Sequence, residues 1–112
     1  MSELREMKCV PCRGDVPALD RNQIAALMPQ VAGWQLIEVD GVPRLQRVFK
    51  FKNFGDALAF TNKVGALAEA EDHHPAILTE WGRVTVTWWT HKIKGLHQND
   101  FIMAAKTDGL ID

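Results

Sequence analysis

The chain has 112 residues, a formal charge of −1, and 46% hydrophobic and 24% charged residues. This length suits one domain with a single core, and the composition is that of a globular protein rather than a disordered one. The near-zero charge and scattered Lys and Arg residues give no electrostatic footprint for nucleic acid, and no apolar run is long enough to cross a bilayer. The N-terminus lacks the apolar segment of a signal peptide, so we expect a cytoplasmic protein.

Residues 1–18 combine Pro and Gly with little periodicity and predict an irregular N-terminal arm, which leaves residues 19–112 as the folded domain. Asp20 and Gln23 have the spacing of a capping box and begin a short amphipathic helix. Gly33 follows the last apolar residue of this helix and predicts its end.

Two β-hairpins are predicted from runs of β-forming residues joined by short turns. The first turn, Asp40-Gly41, is a strong hairpin signal, and the second turn is centred on Gly82. The four strands are expected over residues 34–39, 43–51, 77–81 and 83–91.

The longest helix is predicted to start at Asn53 and to end near Asp72 or His73, because the residue before Pro75 disfavours helical geometry. Its expected apolar face comprises Phe54, Ala57, Leu58, Thr61, Val64 and Ala68, with Phe60 and Leu67 beside it. A final helix is predicted over residues 98–108. The order α-β-β-α-β-β-α predicts a single α+β domain, in which a four-stranded antiparallel sheet carries its helices on one face.

Alternation along the fourth strand places Trp88 on one face together with two valines, and Trp89 and His91 on the other with two threonines. The valine face is expected to pack under the helices. The opposite face, polar and aromatic, would suit a flat heteroaromatic ligand. Taken alone, however, the strand is equally typical of a solvent-facing surface of good β-propensity, and that interpretation is favoured at this point.

The dipeptide His73-His74 lies between the longest helix and the third strand and is stiffened by Pro75. Glu69 precedes His73 by four residues, and Asp72 adds a further carboxylate nearby. Imidazoles among carboxylates suit proton transfer near neutral pH. The alternative is a solvated helix end with a weak Glu–His pair, which is favoured unless other residues support a site.

A metal site is a rival interpretation, because Glu69, His73 and His91 could offer two nitrogens and one oxygen. The chain has no repeated Cys/His framework, and Cys9 and Cys12 supply only half a zinc site, so no metal is predicted and the cysteines are expected to be reduced and silent.

Two residues mark the start of the final helix. His97 is expected at the surface or as a weak N-cap and is given no role. Asp100 lies in the first turn, where the helix dipole alone favours a carboxylate.

Together these positions resemble the pterin-4a-carbinolamine dehydratase family. The matching pattern is Glu69, then His73-His74-Pro75, Trp81, His91 and Asp100, with agreement in spacing as well as residue type. Supporting pieces are Gly33-Trp34, Phe51-Lys52-Asn53-Phe54 and Ala104-Ala105-Lys106. The Cys-x-x-Cys-Arg segment of the arm resembles bacterial members.

The resemblance implies a hydro-lyase that dehydrates a 4a-hydroxytetrahydropterin to quinonoid dihydropterin. It implies that His73 and His91 transfer protons on the leaving-group side, and that His74 contacts the ring near N5. It further implies that Glu69 and Asp100 hold these imidazoles. Asp72 and Trp89 are expected to support the same pocket, whereas Trp81 is expected to be a packed, structural residue.

The resemblance also bears on cofactors and partners. The pterin is the substrate, so no cofactor is expected. The family implies a homodimer or homotetramer and a pathway link to an aromatic amino acid hydroxylase, with no nucleic-acid or membrane partner. Two alternatives stay open: a non-catalytic binding, dimerisation or assembly module of the same fold, and a role in molybdopterin metabolism.

Overall fold

A computed structural model of the chain describes residues 3–9 and 17–111. Its core is one antiparallel sheet of four strands in the order β1-β2-β4-β3. The strands are β1 (Gln35–Val39), β2 (Val42–Lys50), β3 (Ala76–Glu80) and β4 (Arg83–Trp88). Asp40 and Gly41, between β1 and β2, have φ of 53° and 78°, as the two central residues of a type I′ hairpin turn require.

The helices are α1 (Glu3–Glu6), α2 (Arg21–Leu27), α3 (Phe54–Glu71) and α4 (Gln98–Asp108), with 3₁₀ turns at Met28–Val31 and His91–Ile93. The capping box predicted for α2 is present, and α4 covers the predicted residues. No helix among the described residues is long and apolar enough to span a membrane.

One face of the sheet carries the core, which confirms the predicted α+β arrangement. Val84, Val86 and Trp88 of β4 are buried, and strand pairing sets Leu45 and Phe49 of β2 beside them. Helices α3 and α4 pack on this face, and the Trp88 indole nitrogen donates a hydrogen bond to the hydroxyl of Thr107 in α4. The fourth strand is therefore fixed to α4 at the end where β4 stops.

The apolar face of α3 is rotated from the predicted one. The buried residues are Ala57, Phe60, Val64 and Ala68, whereas Phe54 and Leu58 are exposed. Phe60 packs against Phe49, with ring centroids 4.7 Å apart. Two residues along a helix turn it by about 200°, so Leu58 cannot face the core when Phe60 does.

The N-terminal arm is partly ordered where an irregular segment was predicted, because Glu3–Glu6 form one helical turn against α4. Leu4 is buried, Arg5 Nε donates to the carbonyl of Ala105, and Lys106 Nζ donates to the carbonyl of Arg5. Burial of one leucine and two side-chain hydrogen bonds to backbone carbonyls explain why this turn is ordered. Cys12 lies outside the described residues.

Candidate active site

The end of α3 sets the direction of the two adjacent histidines. Asp72 adopts a left-handed conformation, with φ of 53°, and both its N–H and that of His73 point to the carbonyl of Ala68. The chain thus leaves the helix before His73. Glu69 consequently pairs with His74, at 2.5 Å between Oε2 and Nε2, and not with His73 as the helical spacing suggested.

Asp100 is the buried centre of the site. Its carboxylate is fully buried in the first turn of α4 and contacts three partners. Oδ1 lies 2.7 Å from His73 Nε2, and Oδ2 accepts hydrogen bonds from the Thr90 hydroxyl at 2.8 Å and from the His97 backbone N–H at 2.9 Å. A buried carboxylate is stable only when its oxygens are satisfied in this way. Asp100 therefore ties His73 to the residue that precedes His91.

His97 is the N-cap of α4 and not an idle surface residue. Its Nδ1 accepts a hydrogen bond from the Asn99 backbone N–H at 3.0 Å, and Asp100 returns the capping-box contact. The N-cap expectation is thus confirmed, and the cap fixes the backbone from which Asp100 projects.

Trp88 and Trp89 are neighbours in the chain, and each stacks on a different histidine. The His73 ring lies parallel to Trp88, with centroids 5.7 Å apart and planes 6° apart. The His91 ring lies over Trp89 at 4.3 Å with a tilt of 36°. The two consecutive tryptophans at the end of β4 therefore fix two different histidines.

His91 is not a strand residue, contrary to the alternation prediction. Strand β4 ends at Trp88, and the backbone groups of Thr90 and Gly95 hydrogen-bond each other across a turn that contains His91–Ile93. This closed turn rotates His91 away from the strand pattern. Its expected neighbour, the Trp89 indole, is nevertheless beside it.

The other predicted site residues lie at the periphery. His74 and Glu69 form an exposed pair, and Asp72 is exposed at the turn between α3 and His73. Among the described residues, no hydrogen bond links this pair to His73 or His91. Trp81 is 73% exposed at the β3–β4 turn, at the opposite end of β4 from the histidines, so the expectation that it packs is wrong for the single chain.

The N-terminal arm reaches the rear of the site through Cys9. Its backbone N–H donates to Glu71 Oε1 at 3.0 Å, and its thiol lies 4.0 Å from the Asn99 carbonyl. Burial, followed by the carboxylates of Glu71 and Asp100, raises the pKa of the Cys9 thiol to about 12. A thiol in this environment stays protonated and is a poor nucleophile.

Within the part of the chain that the structure describes, no group of three or more His, Cys, Asp or Glu side chains could hold a metal ion. The rival set of Glu69, His73 and His91 is not assembled, because Glu69 is turned to His74 and His73 to Asp100.

Two side chains at the site were not predicted. Thr90 supplies a hydroxyl to Asp100, and the Arg44 guanidinium lies over Trp89, with Cζ 3.9 Å from the ring centroid. Arg44 precedes Leu45, which pairs with Trp88 at the end of the β2–β4 ladder, but these strands are not consecutive in the chain, so no hairpin signal predicts the contact. No signal in the sequence marks the Thr90 contact.

Fold and site together define a small α+β protein with imidazoles oriented by carboxylates and tryptophans, an arrangement suited to acid–base chemistry on an aromatic ligand. The model of the family described as pterin 4 alpha carbinolamine dehydratase matches residues 17–110. The chain therefore belongs to the pterin-4-alpha-carbinolamine dehydratase family.

Close relatives extend over the whole chain. A protein of Nitrosococcus oceani is 64% identical over 111 residues, which cover 99% of this chain and 98% of the relative. A protein of Syntrophotalea carbinolica is 57% identical over 112 residues, which cover 100% of both chains. Both carry the name "Putative pterin-4-alpha-carbinolamine dehydratase".

Solved structures show the same fold. A crystal structure described as a transcriptional coactivator/pterin dehydratase from Brucella melitensis aligns with a TM-score of 0.76 and 34% identity, covering 85% of this chain and 99% of that one. A pterin dehydratase-like protein identified as a RuBisCO assembly factor in the alpha-carboxysome aligns with a TM-score of 0.59 and 24% identity, covering 70% and 88%. At that identity the second likeness concerns the fold alone.

Proposed function

We propose that the protein dehydrates a 4a-hydroxytetrahydropterin to quinonoid dihydropterin, in recycling of the pterin cofactor of aromatic amino acid hydroxylation. The observation that carries this proposal is the buried Asp100 carboxylate, which binds His73 and, through Thr90, the segment that bears His91. Membership of the family and the names of the two close relatives support the reaction class.

The reaction needs an acid and a base but no electron transfer. The bond between C4a and its hydroxyl oxygen breaks, and the oxygen takes up a proton and leaves as water. N5 loses its proton as the C4a=N5 double bond forms. Positioned imidazoles can serve both steps near neutral pH, so no cofactor is proposed and the pterin is the substrate.

His73 is the best oriented of the proposed acid–base groups. An ionised Asp100 carboxylate can only accept a hydrogen bond, so His73 Nε2 carries the hydrogen of the 2.7 Å contact. Nδ1 is then the nitrogen that can exchange a proton with a ligand. Stacking on Trp88 fixes the plane of the ring, and only 11% of the side chain is exposed.

The remaining roles follow the family pattern. We assign proton transfer at the leaving hydroxyl to His91 together with His73, and contact near N5 to His74, which Glu69 orients. Asp72 and Trp89 are proposed to line the pocket, and Asp100 to orient His73. Exposure of His74 and His91 leaves both rings accessible to a ligand that enters from solvent.

Three further proposals concern the setting of the enzyme. We expect a cytoplasmic protein that acts downstream of an aromatic amino acid hydroxylase. We also expect a homodimer or homotetramer, which sedimentation equilibrium would test directly. An assembly or dimerisation module without catalysis, and a role in molybdopterin metabolism, are the alternatives.

The test is the decay of freshly generated 4a-hydroxytetrahydropterin, followed by absorbance with purified protein, with an unrelated protein, and with chelator. Acceleration that survives chelation is expected. Decay no faster than in buffer, with a folded protein, would refute the enzyme and favour a binding module. Loss of activity on chelation would revive a metal site at Glu69, His73 and His91.

A further inference from the structure

The histidines of the site differ in what orients them. His73 is hydrogen-bonded to Asp100 and His74 to Glu69. Among the described residues, no group is hydrogen-bonded to the His91 imidazole, and its described side-chain contact is the stack on Trp89. The orientation of the exposed His91 ring therefore depends on the position and orientation of the Trp89 indole.

Trp89 in turn is held by Arg44. The β2–β4 ladder ends at the pair Leu45–Trp88, and Arg44 and Trp89 are the next residues of the two chain segments. The guanidinium lies on the indole, with Cζ 3.9 Å from its centroid. A planar guanidinium stacks on an aromatic face in a way that a lysine ammonium does not.

Desolvation of the Arg44 side chain is unfavourable in this position. Its Nε is buried and has no hydrogen-bond partner among the described residues. A buried unpaired donor is unfavourable, and stacking on Trp89 has to compensate for it. An arginine placed only for solubility on an open sheet face would turn this nitrogen to water.

We infer that Arg44 is a positioning residue, which fixes the Trp89 indole and through it the His91 imidazole. The inference rests on the proposed function only for its kinetic consequence. The geometric part, the dependence of His91 on Arg44, concerns the free protein and can be tested without substrate.

The structural test is NMR of the His91 ring in the free protein, assigned by loss of its signal in His91→Gln. Ring current from Trp89 shifts the His91 ring protons upfield. Arg44→Met is expected to move them towards the position of an unstacked histidine, and Arg44→Lys, which keeps a cation over the ring, to move them less. Arg83→Met is the matched control, since Arg83 contacts Glu80 at the far end of β4. Unchanged His91 signals in Arg44→Met would overturn the inference.

The kinetic test separates positioning from substrate binding. With a folded Arg44→Met protein, kcat is expected to fall about tenfold at nearly constant KM, because a displaced acid–base group slows the proton transfer. Arg44→Lys should recover most of the loss. A rise in KM alone would show that Arg44 binds substrate and would also overturn the inference. If Arg44→Met does not fold, Arg44→Gln gives the same comparison, since it also removes the guanidinium from the Trp89 ring. A wild-type protein without dehydratase activity refutes the proposed function, while the NMR result still decides the role of Arg44.

Discussion

Replacement of Asp100 separates the structural from the chemical role of this carboxylate. Asp100→Ala removes the acceptor of three hydrogen bonds, from His73, Thr90 and the His97 backbone. Each bond to a charged acceptor contributes about 1.5 kcal/mol, and buried donors left unpaired add to the loss. The expected decrease in the free energy of unfolding is therefore about 5 kcal/mol.

Asp100→Asn should behave differently. One amide oxygen can still accept from Thr90 and from the His97 N–H, because both donate to the same oxygen in the native protein. The amide nitrogen then faces His73 Nε2, which has to become an acceptor, so the ring is left in the other tautomer. The expected stability loss is only about 1 kcal/mol, whereas kcat should fall about 100-fold or more because the wrong nitrogen carries the hydrogen.

Asp108→Asn is the matched control. Asp108 lies at the other end of α4, where it accepts hydrogen bonds from Trp34 Nε1 at 2.9 Å and from Arg47 at 2.6 Å. This variant should lose about 1 to 2 kcal/mol of stability at unchanged kcat. Urea unfolding followed by far-UV circular dichroism at one protein concentration gives the free energies. Wild-type turnover in Asp100→Asn, or equal destabilisation by the Ala and Asn variants, would refute the reasoning.

Four further predictions concern individual residues. His73→Ala should lower turnover about 100-fold or more, and an unchanged rate would make His73 only a helix-end residue. Cys9→Ser and Cys12→Ser should retain activity, and a large loss would show that the arm takes part in the chemistry. The pKa of Cys9 is raised from 9.0 to about 12 in the folded protein, so the unfolded chain loses the thiol proton at lower pH. The free energy of unfolding should therefore fall as pH rises from 9 towards 12. This fall should be smaller in Cys9→Ser, and an equal pH dependence in the two proteins would contradict the prediction. Phe60→Ala should cost about 3 to 5 kcal/mol in urea unfolding and Leu58→Ala much less, and similar losses would mean that the face of α3 is misplaced.

Local signals predicted the fold because each element has its own determinant in the sequence. The Asp20 capping box, the Asp40-Gly41 turn and the proline after His74 fix where elements begin and end. Periodicity alone could not choose the buried face of α3, because Phe60 and Leu58 are both apolar. The choice depends on the Phe49 ring, which lies on another strand.

The site was predictable in residue type but not in pairing. The spacing predicted that Glu69 pairs with His73. Because Asp72 is left-handed, Glu69 instead contacts His74, and His73 contacts Asp100, 27 residues later in the chain. Such long-range pairings depend on where α4 packs on the sheet. The Arg44 stack is equally long-range, since it depends on the pairing of β2 with β4, which are separated in the chain by α3 and β3.

The two consecutive tryptophans constrain where a ligand can bind. Trp88, the last residue of β4, is buried and stacks on His73, whereas Trp89, the residue after it, stacks on the exposed His91. A single substrate that meets both imidazoles therefore has to lie at the end of β4, across its terminus, and not along the open sheet face. Thr85 and residues before it are about 10 Å or more from that terminus at 3.3 Å per residue. The polar face that first suggested a ligand platform thus contributes its last residue, Trp89, while the chemistry depends on the turn that follows and on the buried Asp100 behind it.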